Sequence, residues 1–264
     1  MNKKILIIGK KSFIGSNLEV YLSKFYIVQS ISYDNFKKKK QSFFSNFSHI
    51  INTSIHKNYI NKKYDEKYDF DKKIVNKLYK YKFFYYYLNT RKIYKPKLNI
   101  TESSTLKPKN NYEKNKLITE KYLIKKLNKM LVSLRTTNVI GKRIFIKNRN
   151  NHKLFLDNFI NFKRDKKKLV VENDFKDFIT IDHFCLIIKC LIKKDISGIF
   201  NVSLSEKVYI SEITKWLSPS YYDRLTFKNK NSDSFTLSNK KLLKKISISI
   251  NKKDLMKFCK KMKI

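Results

Sequence analysis

A parallel α/β sheet wound on both faces, followed by a small C-terminal lobe, is the architecture this sequence predicts. Three observations carry it. The chain opens on an unbroken apolar run, Ile5–Ile8, that stops at Gly9, and Gly15 follows at the head of a stretch with helical spacing (Ile14, Leu18, Leu22). Further apolar runs of strand length then alternate with segments of helical spacing, the order that builds a parallel sheet. Finally, glycine is scarce: the four glycines are Gly9, Gly15, Gly141 and Gly198, and two of them flank the opening turn. In a chain that has replaced glycine nearly everywhere, the survivors mark positions that do not tolerate a side chain.

Ile5–Ile8 reads as a strand buried on both faces. The polar turn from Gly9 to Gly15 leads into a helix expected from about Ser16 to Lys24. Strand, tight turn and helix together aim backbone N–H groups and a helix N-terminus at a pyrophosphate. The usual fingerprint has three glycines, and Ser12 stands at the middle one. Tyr26–Ser32 is the second strand. A dinucleotide fold places an acid at its end, on the adenosine ribose; here that place is near Ser32, and the nearest acid is Asp34. Lys37–Lys40 follow, either a receptor for the extra phosphate of NADP or, the preferred reading, a solvated run. Ser48–Ser54 is the third strand, with Thr53 near the C-terminal end, where ligands of open α/β sheets lie. The connection between the second and third strands leaves little room for another βα unit. His49 and His56 read as packing or surface residues, since neither has a partner at metal-ligand spacing.

The segment 57–82 is polar, with helical spacing in its second half (Phe70, Ile74, Leu78, Tyr81). The aromatic run Phe83–Leu88 reads as a buried central strand rather than a platform for stacked bases. It ends in Asn89-Thr90-Arg91-Lys92-Ile93-Tyr94, and a loop leads to Tyr112-Glu113-Lys114-Asn115-Lys116 and a helix. Tyr112 and Lys116 are four apart and share a helical face. An ammonium one turn away favours a phenolate, so the pair predicts a tyrosine acid/base working near neutral pH. Thr90, at a strand end, is placed to bond the same substrate oxygen.

Composition narrows the classes. The formal net charge is +39, which raises the possibility of a nucleic-acid or anionic-membrane surface. Only six of the 60 basic residues are arginine, however, and the lysines are scattered along the whole chain beside abundant Phe and Tyr. A nucleic-acid reader would be expected to use arginine forks, so the charge reads as compositional drift that still favours anionic substrates. The opening apolar run is too short for a secretory leader, and no stretch approaches the roughly 20 apolar residues of a membrane span. The three cysteines, Cys185, Cys190 and Cys259, lack metal spacing. A metal-free protein in a reduced, cytoplasmic compartment is expected.

Taken in order, these pieces resemble the extended short-chain dehydrogenase/reductases, the NAD-dependent epimerase/dehydratase family. Gly9-Lys10-Lys11-Ser12-Phe13-Ile14-Gly15 is similar to the family's glycine turn, and Thr90-Arg91-Lys92-Ile93-Tyr94 to its Ser/Thr strand end before Val-Tyr. Pro108, Tyr112, Lys116 and Glu120 match its Pro-x-x-x-Tyr-x-x-x-Lys segment with a following Glu. Leu134–Gly141, Phe175–His183, Ser197–Val202 and Val208–Leu217 resemble its later motifs, in order. All four glycines fall on motif positions. The likeness covers Met1 to Leu217 and, more loosely, Leu237 to Leu243.

The resemblance implies a Rossmann-like doubly wound parallel sheet: residues 1–140 as an NAD(P)-binding domain to which 174–203 return, with 141–173 and 204–264 as a reduced substrate-binding lobe. It implies NAD or NADP as cofactor, held by Gly9, Ser12, Phe13, Ile14, Gly15, Ser32, Asp34, Thr53 and Lys116. Thr90, Tyr112 and Lys116 would be the catalytic trio, and Asn138 and Lys176 would contact the nucleotide diphosphate of the substrate. The implied activity is an epimerase or ketoreductase acting on a nucleotide-activated sugar, in a homodimer built through helices around Asp71–Lys80 and Tyr112–Lys126. Two departures qualify this. The Asp-Glu pair of the family's 4,6-dehydratases is here Arg91-Lys92, which argues against dehydration. Ser12 and the displaced ribose acid leave a second reading, a degenerate member that binds a nucleotide or a protein partner without catalysis.

Overall fold

The computed structural model describes residues 3–145, 156, 159, 169–228 and 234–262. In chain order it contains β1 (Lys4–Ile8), α1 (Phe13–Leu22), β2 (Ile27–Ile31), α2 (Tyr33–Lys38), β3 (His49–Asn52), α3 (Lys57–Asn61), α4 (Phe70–Leu78), β4 (Phe84–Thr90), α5 (Asn111–Leu127) and β5 (Leu131–Thr136). Then come β6 (Asn138–Ile140), β7 (Leu169–Glu172), β8 (Phe175–Lys176), β9 (Phe178–Thr180), α6 (Ile181–Lys193), β10 (Gly198–Val202) and β11 (Val208–Tyr209). Then follow α7 (Ile210–Leu217), a short helical turn at Pro219–Tyr222, β12 (Leu225–Lys228), α8 (Lys240–Ile246) and α9 (Lys252–Met262).

Six strands form one parallel sheet in the order β2-β1-β3-β4-β5-β10. Successive side chains on a strand point to opposite faces, and the core divides accordingly. Ile5, Ile7, Ile51, Tyr86, Val132 and Leu134 face one side, where Leu18 and Leu22 of α1 and the apolar stripe of α6 cover them. Leu6, Ile8, Ile50, Tyr85, Tyr87 and Leu131 face the other, under Phe36 of α2, Ile74, Val75 and Leu78 of α4, and Leu123 of α5. Both faces are therefore buried, which explains the unbroken apolar run of β1. The strand order reverses between β1 and β3, so the crevice at their C-terminal ends is where such a sheet takes a ligand. The short link between β2 and β3 adds no further strand among the described residues.

Some boundaries differ from the sequence reading. Helix α1 begins at Phe13 rather than Ser16, because the Ser12 side chain accepts the Gly15 N–H and starts the helix there. The aromatic strand runs two residues further, to Thr90, still paired with β5. The tyrosines at its centre, Tyr85, Tyr86 and Tyr87, are fully buried.

Beyond β5 the chain forms three two-stranded pairs: parallel β6–β9, antiparallel β8–β11 and parallel β7–β12. Leu242 and Ile246 of α8 and Leu255, Cys259 and Met262 of α9 join the core on the α1/α6 side. Within the expected lobe, residues 146–155, 157–158, 160–168, 229–233 and 263–264 lie outside the described residues. No described helix is long and apolar enough to cross a membrane. Among the described residues no group of three His, Cys, Asp or Glu could hold a metal ion.

Candidate active site

The turn after β1 is tied down from three directions. The Gly9 and Lys10 N–H groups donate to Ile31 O at the end of β2 (2.8 and 3.2 Å). Thr53 N–H donates to Ile8 O at 2.8 Å, and the Thr53 hydroxyl donates to Ile8 O and Gly9 O at 3.1 and 3.2 Å. Gly9 has φ +115°, and a Cβ there would stand 2.3 Å from Thr53 Oγ1; at Gly15 it would stand 2.4 Å from Gly9 O. Both contacts are closer than any side chain permits, so the turn keeps a bare backbone against the β1–β3 crevice.

Ser12 needs no glycine. Its φ of −72° and ψ of 156° are ordinary extended values, and its hydroxyl faces inward, donating to Thr53 Oγ1 at 2.7 Å and accepting from Gly15 N at 2.9 Å. Among the described residues the N–H groups of Phe13 and Ile14 have no acceptor. The cradle thus offers free donors at a helix N-terminus, which fits a bound pyrophosphate. The other expected cofactor residues sit at the end of β2. The Ser32 hydroxyl caps α2 by accepting Asn35 N–H at 3.1 Å. Asp34 pairs with Lys37 at 2.7 Å, and that hydrogen bond and charge hold its carboxyl below the usual range.

Thr90 ends β4, and Tyr112 lies in the first turn of α5. Asn110 and Glu113 close a capping box that fixes where the helix begins. The structure brings the two together: the Thr90 side chain acts on the phenol of Tyr112, which is half-buried. Lys116, one turn on, is buried, and its ammonium donates to Leu88 O of β4 at 2.8 Å over the Tyr87 ring, 4.7 Å from the centroid.

The expected electrostatics of this pair are corrected by the geometry. Burial pushes the Tyr112 phenol up to about 12, the Thr90 hydroxyl opposing the rise while Asp71 and Glu113 add to it. Lys116 does not bring the phenol toward neutrality here. Its ammonium is turned into β4, and buried acids, Asp71 foremost, answer its charge.

Helix α5 is held against the sheet by groups that local spacing does not reveal. Glu120, one turn past Lys116, takes a two-pronged bond from Arg135 of β5 (Nη2–Oε2 2.7 Å, Nε–Oε1 3.1 Å) and accepts the Ser133 hydroxyl at 2.6 Å. Arg135 also donates to Tyr94 OH and Glu102 O. On the outer side, Asn115 Nδ2 donates to Tyr59 O and Lys62 O, fastening α3 to α5. Arg91, next to Thr90, is buried and stacked on Phe235, 3.6 Å from the ring centroid, whereas Lys92 is exposed.

Asn138 and Lys176 are neighbours through the chain between them. Asn138 pairs in register with Phe178, and its side-chain N–H donates to Asp177 O at 3.1 Å, one residue from Lys176. Lys176 itself lies in β8 beside Val208.

Two roles are not apparent from the fingerprint motif. One is the capping of α1 by Ser12, whose signal is a serine three residues before the helix amide that it accepts; the other is the burial of Asp71. Asp71 occupies a place on the apolar stripe of α4, with Ile74, Val75 and Leu78; an acid at a stripe position was the available signal.

The NAD dependent epimerase/dehydratase family matches residues 5–203. No curated protein matches the sequence. Among solved structures, the chain is similar to a UDP-N-acetylglucosamine 4-epimerase from Methanobrevibacter ruminantium in complex with UDP-N-acetylmuramic acid, at 17% identity and TM-score 0.77 over 99% of this chain and 97% of that one. It is likewise similar to the Bordetella bronchiseptica enzyme WbmG in complex with NAD and UDP (20% identity, TM-score 0.77, 98% and 93% of the chains). A dTDP-4-dehydrorhamnose reductase from Clostridium acetobutylicum is a further match (17% identity, TM-score 0.76, 99% and 100%). At these identities the structures speak for the fold, while the family match covers most of the chain, which belongs to the NAD dependent epimerase/dehydratase family.

Proposed function

We propose that this protein is an NAD(P)-dependent epimerase or ketoreductase acting on a nucleotide-activated sugar. The observation that carries the reading is the convergence of Thr90, at the end of the strand next to the β1–β3 crevice, on the phenol of Tyr112 in the first turn of α5, with Lys116 one turn further. The family is NAD-dependent; the similar WbmG structure holds NAD and UDP, and the similar 4-epimerase structure holds UDP-N-acetylmuramic acid.

Gly9, Ser12, Phe13, Ile14, Gly15 and Thr53 would hold the dinucleotide, the free N–H groups of Phe13 and Ile14 donating to the pyrophosphate. Ser32 and Asp34 would lie nearest the adenosine ribose, and Lys116 the other ribose. The cofactor supplies the two-electron acceptor or donor when bound. Tyr112 then exchanges the proton of the sugar hydroxyl, and Thr90 holds that oxygen in line with the phenol. Asn138 and Lys176 would meet the substrate's diphosphate within a lobe built from 141–173 and 204–264, and two copies would meet through α4 and α5. Dehydration needs a further acid and base. The positions after Thr90 carry cations instead, and Arg91 is committed to Phe235.

Turnover of a panel of nucleotide sugars with NAD and with NADP tests the reading. Tyr112→Phe should lower turnover by about 10²- to 10⁴-fold and leave cofactor affinity nearly unchanged. Saturable binding of neither cofactor would reject it. Cofactor or nucleotide binding with no turnover, and a biological activity that survives Tyr112→Phe, would favour the non-catalytic binder instead.

A further inference from the structure

The two edges of the six-stranded sheet are finished differently. At the β10 edge, Val202 O accepts the Thr137 N–H that continues β5. Gly198, Phe200 and Val202 therefore turn their backbone groups toward β5, and Ile199 and Asn201 turn theirs outward. Both outward residues are engaged from within the chain. The Lys241 ammonium donates to Ile199 O at 2.9 Å, and Asn201 N–H donates to Glu102 Oε1 at 2.8 Å. Side chains thus blunt this edge.

At the other edge, Ile31 O of β2 accepts the Gly9 and Lys10 N–H groups that continue β1. Ile27, Gln29 and Ile31 therefore face β1, while Val28 and Ser30 present their N–H and C=O groups outward. Among the described residues nothing bonds these outward groups. In the common doubly wound order a further strand lies outside the second one, and here the short link to β3 supplies none. The strand also lacks the usual protection of an edge, which is charge or proline. In a chain with 60 lysines and arginines, the segment 25–32 carries no charged side chain and no proline. Phe25 and Ile27, at its start, are 46% and 49% exposed.

We propose that the β2 edge is an interface with a second copy of this chain, whose own β2 adds to it antiparallel and joins the two sheets into one. The inference does not depend on the reaction proposed above. Two properties of the strand suit it to its own copy. The first is register. A two-fold axis through Gln29 sets Val28 opposite Ser30 of the second copy and Ser30 opposite its Val28, so the outward groups of both strands satisfy one another. The same axis sets Ile27 opposite Ile31 of the second copy and covers the exposed apolar surface there. The second property is charge. Two copies, each with a net charge of +39, repel wherever their lysines meet, and an uncharged edge lets the backbones approach without that repulsion. An acidic or basic peptide finds no charge on this strand to hold it.

Amide hydrogen exchange and sedimentation velocity test this, both on the full chain carrying Ile118→Asp, which removes the apolar contact of the α5 face. The Val28 and Ser30 amides should exchange more slowly as the chain concentration rises. Gln29 is exposed and lies on the axis, so changes there leave the fold of the single chain intact. Gln29→Lys and Gln29→Glu should each weaken association about five-fold, because like charges then stand directly opposite. Mixing the two variants should restore it, since lysine then faces glutamate. Exchange at Val28 and Ser30 that ignores concentration overturns the proposal, and is the result expected if a strand of a different protein belongs at this edge. Association that ignores Gln29→Lys, or that mixing the variants fails to restore, overturns it equally.

Discussion

The Ser12 hydroxyl donates to Thr53 Oγ1 at 2.7 Å and at the same time accepts the Gly15 N–H at 2.9 Å, so one side chain both starts α1 and ties the turn to the end of β3. A serine at the middle position of the turn is thus part of its scaffold and leaves the Phe13 and Ile14 donors free. Ser12→Ala should lose the cap and about 1 kcal/mol of stability, read from urea unfolding. Ser12→Gly should cost less, because glycine is tolerated at an N-cap, and NAD titration of that variant should show affinity within a few-fold of the parent. A Ser12→Ala chain as stable as the parent would remove the capping role.

Arg135 and Glu120 are 4% and 1% exposed, and their two-pronged bond joins β5 to the helix that carries Tyr112 and Lys116. Breaking one side of a buried pair leaves the other charge uncompensated, at a cost of about 3–5 kcal/mol. Glu120→Leu and Arg135→Leu should each lower stability on that scale, while the double variant should lose less than the sum of the two. Chemical denaturation of the four chains completes the cycle; strict additivity would show that the pair is not coupled.

The contrast between these two links explains what the sequence disclosed. The β1 turn, the order of strands and helices and the four-residue spacing of Tyr112 and Lys116 are local patterns, and local geometry makes them legible. The direction of the Lys116 ammonium is not local. It follows from β4, whose Leu88 carbonyl and Tyr87 ring, 28 and 29 residues earlier, receive it, while Asp71 on a different helix answers its charge. Spacing alone aims Lys116 at Tyr112; the tertiary environment turns it away. Leu237 likewise pairs with Ile100 across the fold, a contact that no pattern in either segment announces.

Asp177 gives a pH test with a definite sign. Its carboxylate is fully buried and accepts the backbone N–H groups of Leu204, Ser205 and Leu237, joining three separate segments. Burial raises it to about 7, against the partial opposition of those amides. The unfolded value is about 3.9, so between the two the folded chain binds the extra proton. The stability this group contributes is therefore full below about pH 4 and lost as pH rises through about 7. The parent's stability minus that of Asp177→Asn, from urea unfolding, should fall as pH rises across this window. Asp71 has the same sign and His49, buried and depressed to about 4, the opposite one, but both are present in each chain and cancel. A difference that is flat, or that rises with pH, would contradict the assignment.

The exposed face of α5 bears on how two copies could meet. Every exposed charged residue on it is a lysine, Lys114, Lys121, Lys125 and Lys126, because both acids of the helix, Glu113 and Glu120, are buried. Lys73 is exposed on the adjacent α4. Between these lysines stand Ile118 and Ile124, 41% and 39% exposed, which supply apolar area for contact. A symmetric pairing through α4 and α5 sets each lysine row against its copy, and like charges at such separations repel most when salt is low. Association should therefore strengthen as salt rises from about 0.05 M to about 0.5 M, as the Debye length falls well below 10 Å. Sedimentation velocity at several salt concentrations measures it. Ile118→Asp should weaken the dimer at high salt, where the apolar contact carries the association. A dimer that dissociates as salt rises, or that ignores Ile118→Asp, would place the contact elsewhere on the surface.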